Sequence, residues 1–370
     1  MSREDKFLFR LIANLTAKTL PCEALKDLVF GQQNSFTQQF FTDTYGQYHT
    51  ITLPMFPHYL FLANGLEGPY ANGIYDSYLK SSWAYHDEYY SAQTPRNTDA
   101  EREKKHRDFA QLFYSIQAGK HLNEKAFVLP IELCRRPDGR SIIVHGNHRA
   151  AIALKLGIDI KANYIPVGKY LRKVVDVPEE FYGSARMKMA YQSIFDGPRE
   201  LVRGRRPDVL ERIKMLDVRD LRNKSVMELG CNIGSNCYLA AQFGASRVVG
   251  VDYSHRLITA AVRLNSYFAL PCSFIVHDLN AELTGIEPVD TIFCFSLANH
   301  LQNKSGLVAT ILKNTKHTLF FEGHSKTGQN DYDYLLNKSN FSSIELLGYT
   351  RDGIHTKKRT RPLFRCEIAK

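Results

Sequence analysis

The chain has 370 residues, 44% of them hydrophobic, with a formal net charge of +10. That length suits two or three domains, and that apolar fraction excludes wholesale disorder. No apolar run approaches the roughly 18 residues of a membrane span, so a soluble, cytoplasmic protein is expected. The basic balance predicts an anionic partner, such as RNA, a phosphorylated or nucleotide-linked substrate, or a membrane surface. Seven cysteines without a CxxC pair predict reduced core thiols rather than a disulfide frame or a zinc site.

Residues 1–114 form an aromatic-rich region with irregular spacing. Its clearest element is a helix in "NTDAEREKKHRDFAQLFYSIQAG". Asn97 or Thr98 caps it, Phe109, Leu112, Phe113 and Ile116 make its apolar face, and Gly119 ends it. Glu101 to Arg107 then read as solvated first turns. The next segment, 115–172, contains Asp138-Gly139, a hairpin turn between two β-rich runs. Its second run, Ser141 to Val144, leads through Gly146, Asn147, His148 and Arg149 into a helix ending at Gly157. Backbone N–H groups at that helix start, with Arg149, predict an anion site. Residues 173–222 read as a helical, charge-rich connector.

From residue 223 to 370 strands alternate with helices. Strands are predicted at Ser225–Leu229, Arg247–Val251, Cys272–Val276, Thr291–Phe295 and Thr318–Glu322, an arrangement for a mostly parallel sheet covered on both faces. Ser343–Gly348 and Leu363–Ile368 close it as an antiparallel pair. The turn after the first strand reads "ELGCNIG", and the second strand ends at Asp252. Glycines there let the backbone approach a ligand closely, and Asp252 is placed to accept bonds from ribose hydroxyls. Glu228 just before the glycines repels phosphate, so the spacing Glu-x-Gly-x-x-x-Gly argues against a dinucleotide and for a ligand with positive charge.

"ELGCNIG", "VGVDYS" and "VHDLN" resemble the first motifs of the class I S-adenosylmethionine-dependent methyltransferases, with Asn232 where a glycine is more usual. The resemblance spans about residues 200–370. It implies a Rossmann-like, seven-stranded α/β sheet with S-adenosylmethionine held by Glu228, Gly230, Cys231, Asn232, Gly234, Asp252, Tyr253, Asp278, Leu279 and Ser296. "CFSLANHLQN" and "LFFEGHSKTG" put His300 and His324 beyond the fourth and fifth strands. Either is a candidate general base, with Glu322 orienting it, and no metal is assigned. "SLANH" stands where methyltransferases of base amines carry Asp/Asn-Pro-Pro-aromatic, and no cysteine sits in the context of carbon-5 methylation. An O-methyltransferase acting on a sugar, nucleotide-linked sugar or surface glycan is therefore expected. The alternatives are an RNA methyltransferase, favoured by Lys357, Lys358, Arg359 and Arg361, or a bifunctional protein. "DGRSIIVHGNHRAAIALKLGI" is similar to the α+β ParB/sulfiredoxin-like fold, whose Gly-x-His-Arg turn opens a helix. That implies a nucleotide or other anion at Gly146, Asn147, His148 and Arg149.

Overall fold

The computed structural model describes residues 16–31, 33–64, 66, 73–90, 95–119, 129–175, 190–323, 340–351 and 360–369. The chain divides into two compact units, Met1–Tyr170 with Ser266–Phe268, and Leu171–Asn265 with Ala269–Lys370.

The first unit holds a five-stranded sheet of β1 (Lys18–Leu20), β2 (Val29–Phe30), β3 (Ile131–Arg135), β4 (Ser141–His145) and β5 (Ile160–Tyr164), in the order β1-β5-β3-β4-β2. β3 and β4 are the expected hairpin, closed by a bond from Arg136 N to Arg140 O of 2.8 Å. Four helices precede β3: α1 (Ser35–Tyr45), α2 (Pro57–Ala63), α3 (Ile74–Tyr90) and α4 (Asp99–Gln117). α5 (Asn147–Leu156) follows β4, and α6 (Val167–Val174) continues the chain into the second unit. Phe30, Phe41, Phe56, Tyr75 and Phe109 are fully or almost fully buried, so the irregular aromatics of the sequence are core residues.

The α4 helix starts as expected, with Thr98 Oγ1 accepting from Glu101 N at 3.3 Å. Its first turns are not simply solvated, however. Arg102 and His106 are buried, because Asp76 of α3 lies beneath them and receives Arg102 Nε at 2.9 Å. A charge run hides a buried pair when the partner is distant in sequence.

The second unit is built on a seven-stranded sheet in the order β12-β11-β10-β13-β14-β16-β15. Its strands are β10 (Ser225–Leu229), β11 (Arg247–Asp252), β12 (Cys272–Val276), β13 (Val289–Phe295), β14 (Thr315–Glu322), β15 (Phe341–Arg351) and β16 (Thr360–Ile368). The first five are parallel, and β16 runs antiparallel to both β14 and β15. All seven were legible in the sequence. Parallel strands buried on both faces need long apolar runs, and these have them. Met227, Leu229, Val249, Val251, Ile292, Cys294, Leu319 and Phe321 share one buried cluster with Leu307 and Ile311 of α10 (Lys304–Asn314). α8 (Ser235–Gln242) and α9 (His255–Phe268) follow β10 and β11. All seven cysteines are free thiols, and all but Cys22 are buried.

Residues 190–206 correct the expected helical connector. They form β6 (Ala190–Gln192), β7 (Ile194–Asp196), β8 (Arg199–Val202) and β9 (Gly204–Arg206), and within 190–222 the α-helix is α7 (Val209–Lys214). β7 and β8 pair antiparallel across Gly197, whose φ is +54°. β9 lies parallel to β6. A side chain at Gly204 would sit 2.3 Å from the Gln192 carbonyl carbon, so only glycine permits that approach. "DGP" between two short apolar runs was the turn signal.

Candidate active site

A cavity of about 630 Å³ opens at the carboxyl ends of β10, β11 and β13. Strand order reverses between β11-β10 and β13, the place where open α/β sheets bind ligands. Its wall includes Glu228, Gly230, Asn232, Asp252, Tyr253, Asp278, Leu279, Ser296 and His300, all named from sequence. Cys231, Gly234 and Glu322 are not on that wall. Cys231 turns inward and is fully buried, with its sulfur where a side chain on Gly250 would meet it. Gly234 caps α8 at φ +80°, close against Phe274. His324 lies outside the described residues, as do Lys357, Lys358 and Arg359.

The loop after β10 is shaped by backbone bonds. Gly230 N and Cys231 N both donate to Val251 O, at 2.8 and 2.9 Å. Gly230 has φ +74°, and a β-carbon there would lie 2.9 Å from Leu297, narrowing the cradle. Asn232, the departure from the usual glycine, also has positive φ, +55°. Asparagine tolerates that conformation better than most residues, which explains how it stands there. Asn232 N donates to Asp252 Oδ2 at 2.9 Å, and Ser254 N donates to Oδ1 at 3.0 Å. Asp252 is buried, which raises its pKa, while those N–H groups oppose the rise. Each oxygen keeps a lone pair for a ligand hydroxyl.

Glu228 is almost fully buried. Burial pushes its pKa up to about 7, against bonds from Cys237 Sγ at 3.1 Å and Asn236 Nδ2 at 2.5 Å. A cationic group in the cavity would draw it back to the ionised form.

Beyond β12, Asn280 ties the two loops of the cavity together. Its Oδ1 accepts from Gln302 N at 2.8 Å and from Asn303 N at 3.3 Å. Asp278, on the wall beside it, is exposed and accepts from Asn280 N at 2.9 Å. His300 sits in the short turn Ala298–His300 and is exposed on the wall.

His324 lies outside the described residues, and among them Glu322, the group expected to orient a histidine, has cations and hydroxyls as its partners. It is buried among cations and hydroxyls. Arg212 Nε donates to Oε1 at 2.9 Å and Thr350 Oγ1 donates to the same oxygen at 2.5 Å. Ser296 Oγ bonds Oε2, and Arg206 and Arg361 stand 3.8 and 3.9 Å from it. Ser296 is held at φ +55°, and its N–H donates to Glu322 O at 3.0 Å.

The sequence reading also missed Tyr191, Gln192, Arg206 and Arg212 on the wall. They come from the segment taken as a connector. "RGRRPDVLERI" was the available signal, since arginines alternating with acids before an apolar strand fit a buried ion cluster as well as a solvated helix.

In the first unit, the structure does not hold His148 as an anion ligand. Its Nε2 is 2.8 Å from Tyr75 Oη, and its ring packs edge-on to His58 and Phe109, with centroids 4.5 Å from each. Burial holds its pKa well below 6.5, with His58 and Lys105 adding to the effect, so it is a neutral packing residue. Asn147 is buried as well. Gly146 turns at φ +104°, and Arg149 Nη2 lies 3.2 Å from His145 Nδ1.

The open site thus combines a glycine turn, an acid with free acceptor capacity and a second, buried acid. Residues 226–318 match a family model described as a methyltransferase domain. No curated protein matches the chain. Among solved structures it is similar to magnesium protoporphyrin IX methyltransferase from Synechocystis PCC 6803 with SAH bound, at 19% identity over 44% of this chain and 80% of that one, TM-score 0.36. It is also similar to a putative S-adenosylmethionine-dependent methyltransferase from Listeria monocytogenes, at 16% identity over 44% of this chain and 98% of that one, TM-score 0.36. A putative RNA methyltransferase from Pyrococcus horikoshii shares 14% identity over 41% of this chain and 79% of that one, TM-score 0.33. The domain match, on this strand order and this cavity, supports a methyltransferase domain over residues 226–318 and an enzyme.

Proposed function

We propose that the enzyme methylates a hydroxyl group of a sugar, a nucleotide-linked sugar or a surface glycan. The supporting observation is His300, exposed on the cavity wall just after β13 in "SLANH", where a base-amine methyltransferase carries Asp/Asn-Pro-Pro-aromatic. S-adenosylmethionine supplies an electrophilic methyl group when bound. Gly230, Asn232 and Asp252 would hold it, and Glu228 would answer its charge. The chain's remaining task is to align the acceptor and remove a proton. An imidazole on the wall can accept the hydroxyl proton.

His300→Ala, assayed at saturating cofactor, should lower turnover by about 10²–10⁴-fold, the usual contribution of a general base. Cofactor affinity should be unchanged in the same variant. Near-normal turnover would remove His300 from this role. With labelled cofactor and cell fractions, label is expected in glycan or sugar. Label in RNA would favour the second reading, an RNA methyltransferase, which the +10 charge supports.

We infer further that the first unit is ParB/sulfiredoxin-like and binds an anionic group at the Gly146 turn, with Arg149 as its cation. The support is the passage from β4 through Gly146 into α5. Arg149→Ala should then lose binding of ATP, CTP or a nucleotide sugar, and equal binding by the variant would make the unit structural.

A further inference from the structure

The loop that carries His300 is held at both ends. At its start, where β13 stops, Ser296 N donates to Glu322 O at 3.0 Å and Ser296 Oγ bonds Glu322 Oε2. At its far end Asn303 caps α10, its Oδ1 accepting from Gly306 N at 2.9 Å. Between these points the chain turns tightly, with His300 N donating to Leu297 O at 2.8 Å. The far end is the one that bears on the histidine, because Gln302 lies two residues beyond it.

That far end is gripped by one side chain from a different loop. Asn280, which follows β12, accepts on Oδ1 from Gln302 N at 2.8 Å and from Asn303 N at 3.3 Å. Its backbone carbonyl accepts from Asn303 Nδ2 at 3.1 Å. The other end of the same amide turns back on its own loop. Asn280 Nδ2 and Asn280 N both donate to Asp278 Oδ1 at 2.9 Å. Asp278, Asn280 and His300 all line the cavity. An asparagine suits this place because its side chain is acceptor at one atom and donor at the next. An alanine would strip Gln302 N and Asn303 N of that acceptor, whereas an aspartate would keep the acceptor and lose the donor to Asp278.

We propose that Asn280 is a positioning residue, which sets where the His300 imidazole stands and ties that place to the loop of Asp278. This rests on the reading above, in which S-adenosylmethionine is the methyl donor and His300 the base. A base works within hydrogen-bond reach of the proton it takes, and a misplacement of about 1 Å can cost about 10²-fold in rate. Asn280 touches no reacting atom in this account and acts through the histidine.

Two measurements on the full chain test it. The first needs no substrate. Amide hydrogen exchange in the peptide spanning Gln302 and Asn303 should be about tenfold faster in Asn280→Ala than in wild type, since the two N–H groups lose their acceptor. Equal exchange would mean that the clamp is not formed, and would overturn the proposal while leaving the base assignment untouched. The second is a double-mutant cycle. It reads the initial rate of label transfer from methyl-labelled S-adenosylmethionine, at saturation, to the glycan fraction of a cell lysate. Asn280→Ala should lower that rate by about 10–10²-fold, and Asn280→Asp should recover most of the loss. Combined with His300→Ala, Asn280→Ala should cost nothing more, because a residue that acts through His300 has nothing left to act on. A double variant slower than His300→Ala by the full Asn280 factor would make Asn280 merely structural and overturn the proposal, as would normal turnover in Asn280→Ala. Normal turnover in His300→Ala would overturn the base assignment instead, and the positioning role with it.

Discussion

Two buried polar clusters, one in each unit, are built from the same residue types and end differently. In the first unit Asp76 receives Arg102 Nε at 2.9 Å on one oxygen and Lys80 Nζ at 3.0 Å on the other. Arg102 gives its remaining nitrogens to Asn97 and Asp99. The ion partners of Asp76 and Arg102 all come from the same unit. In the second unit Arg206 keeps an open nitrogen, and the cluster borders a cavity. Burial and ion pairing alone therefore do not separate a structural cluster from a binding one. What separates them is position, since the second cluster borders the cavity at the carboxyl ends of the sheet strands.

The largest effect should come from breaking the second cluster at its centre. Glu322→Ala leaves Arg212 and Thr350 without their common acceptor, and removing one partner of a buried ion pair costs about 3–5 kcal/mol. Chemical denaturation followed by far-ultraviolet circular dichroism should show that loss. A stability unchanged within 1 kcal/mol or so would mean the cluster relaxes into solvent and is not the buried network described.

The pH response should differ in sign between the units. In the first, burial lowers the pKa of His58 from 6.5 to about 3, and Lys105 adds to it. His148 and His106 shift in the same direction. The unfolded chain then binds more protons than the folded one between about pH 3 and 6.5, so stability is complete above pH 6.5 and falls as pH drops. The slope approaches about 1.4 kcal/mol per pH unit for each such histidine. In the second unit Glu228 is raised from 4.5 to about 7, so its contribution is complete at low pH and is lost as pH rises from 4.5 to 7. Trp83, the chain's single tryptophan, lies on α3 of the first unit, so its emission follows that unit. Its denaturation midpoint should climb from pH 5 to pH 7. A flat or falling midpoint would show that the histidines are not buried neutral.

The sheet of the second unit was legible because its parallel strands are short apolar runs, the local signature of strands buried on both faces. Asp252 and the Gly230 turn were legible for the same reason, since their chemistry and their backbone demand coincide in one short stretch. Three features were not. Arg102 looked solvated because Asp76, its partner, is on another helix. The ion cluster around Glu322 was not visible because its five partners come from four separate segments. His148 looked like an anion ligand because Tyr75, His58 and Phe109, which enclose it, lie in three other helices. The sequence shows what a residue can do, and only the long-range partners decide what it does.

The central claim is that S-adenosylmethionine occupies the cavity over Gly230 and Asp252. Titration of the full chain with S-adenosylmethionine, wild type against Asp252→Ala, tests it most directly. Wild type should bind at one site, and the variant should bind at least about tenfold more weakly, because the acceptor for the ribose hydroxyls is gone. The variant must remain folded by circular dichroism for the comparison to count. Undiminished affinity in a folded Asp252→Ala protein, or no binding by wild type, would contradict it.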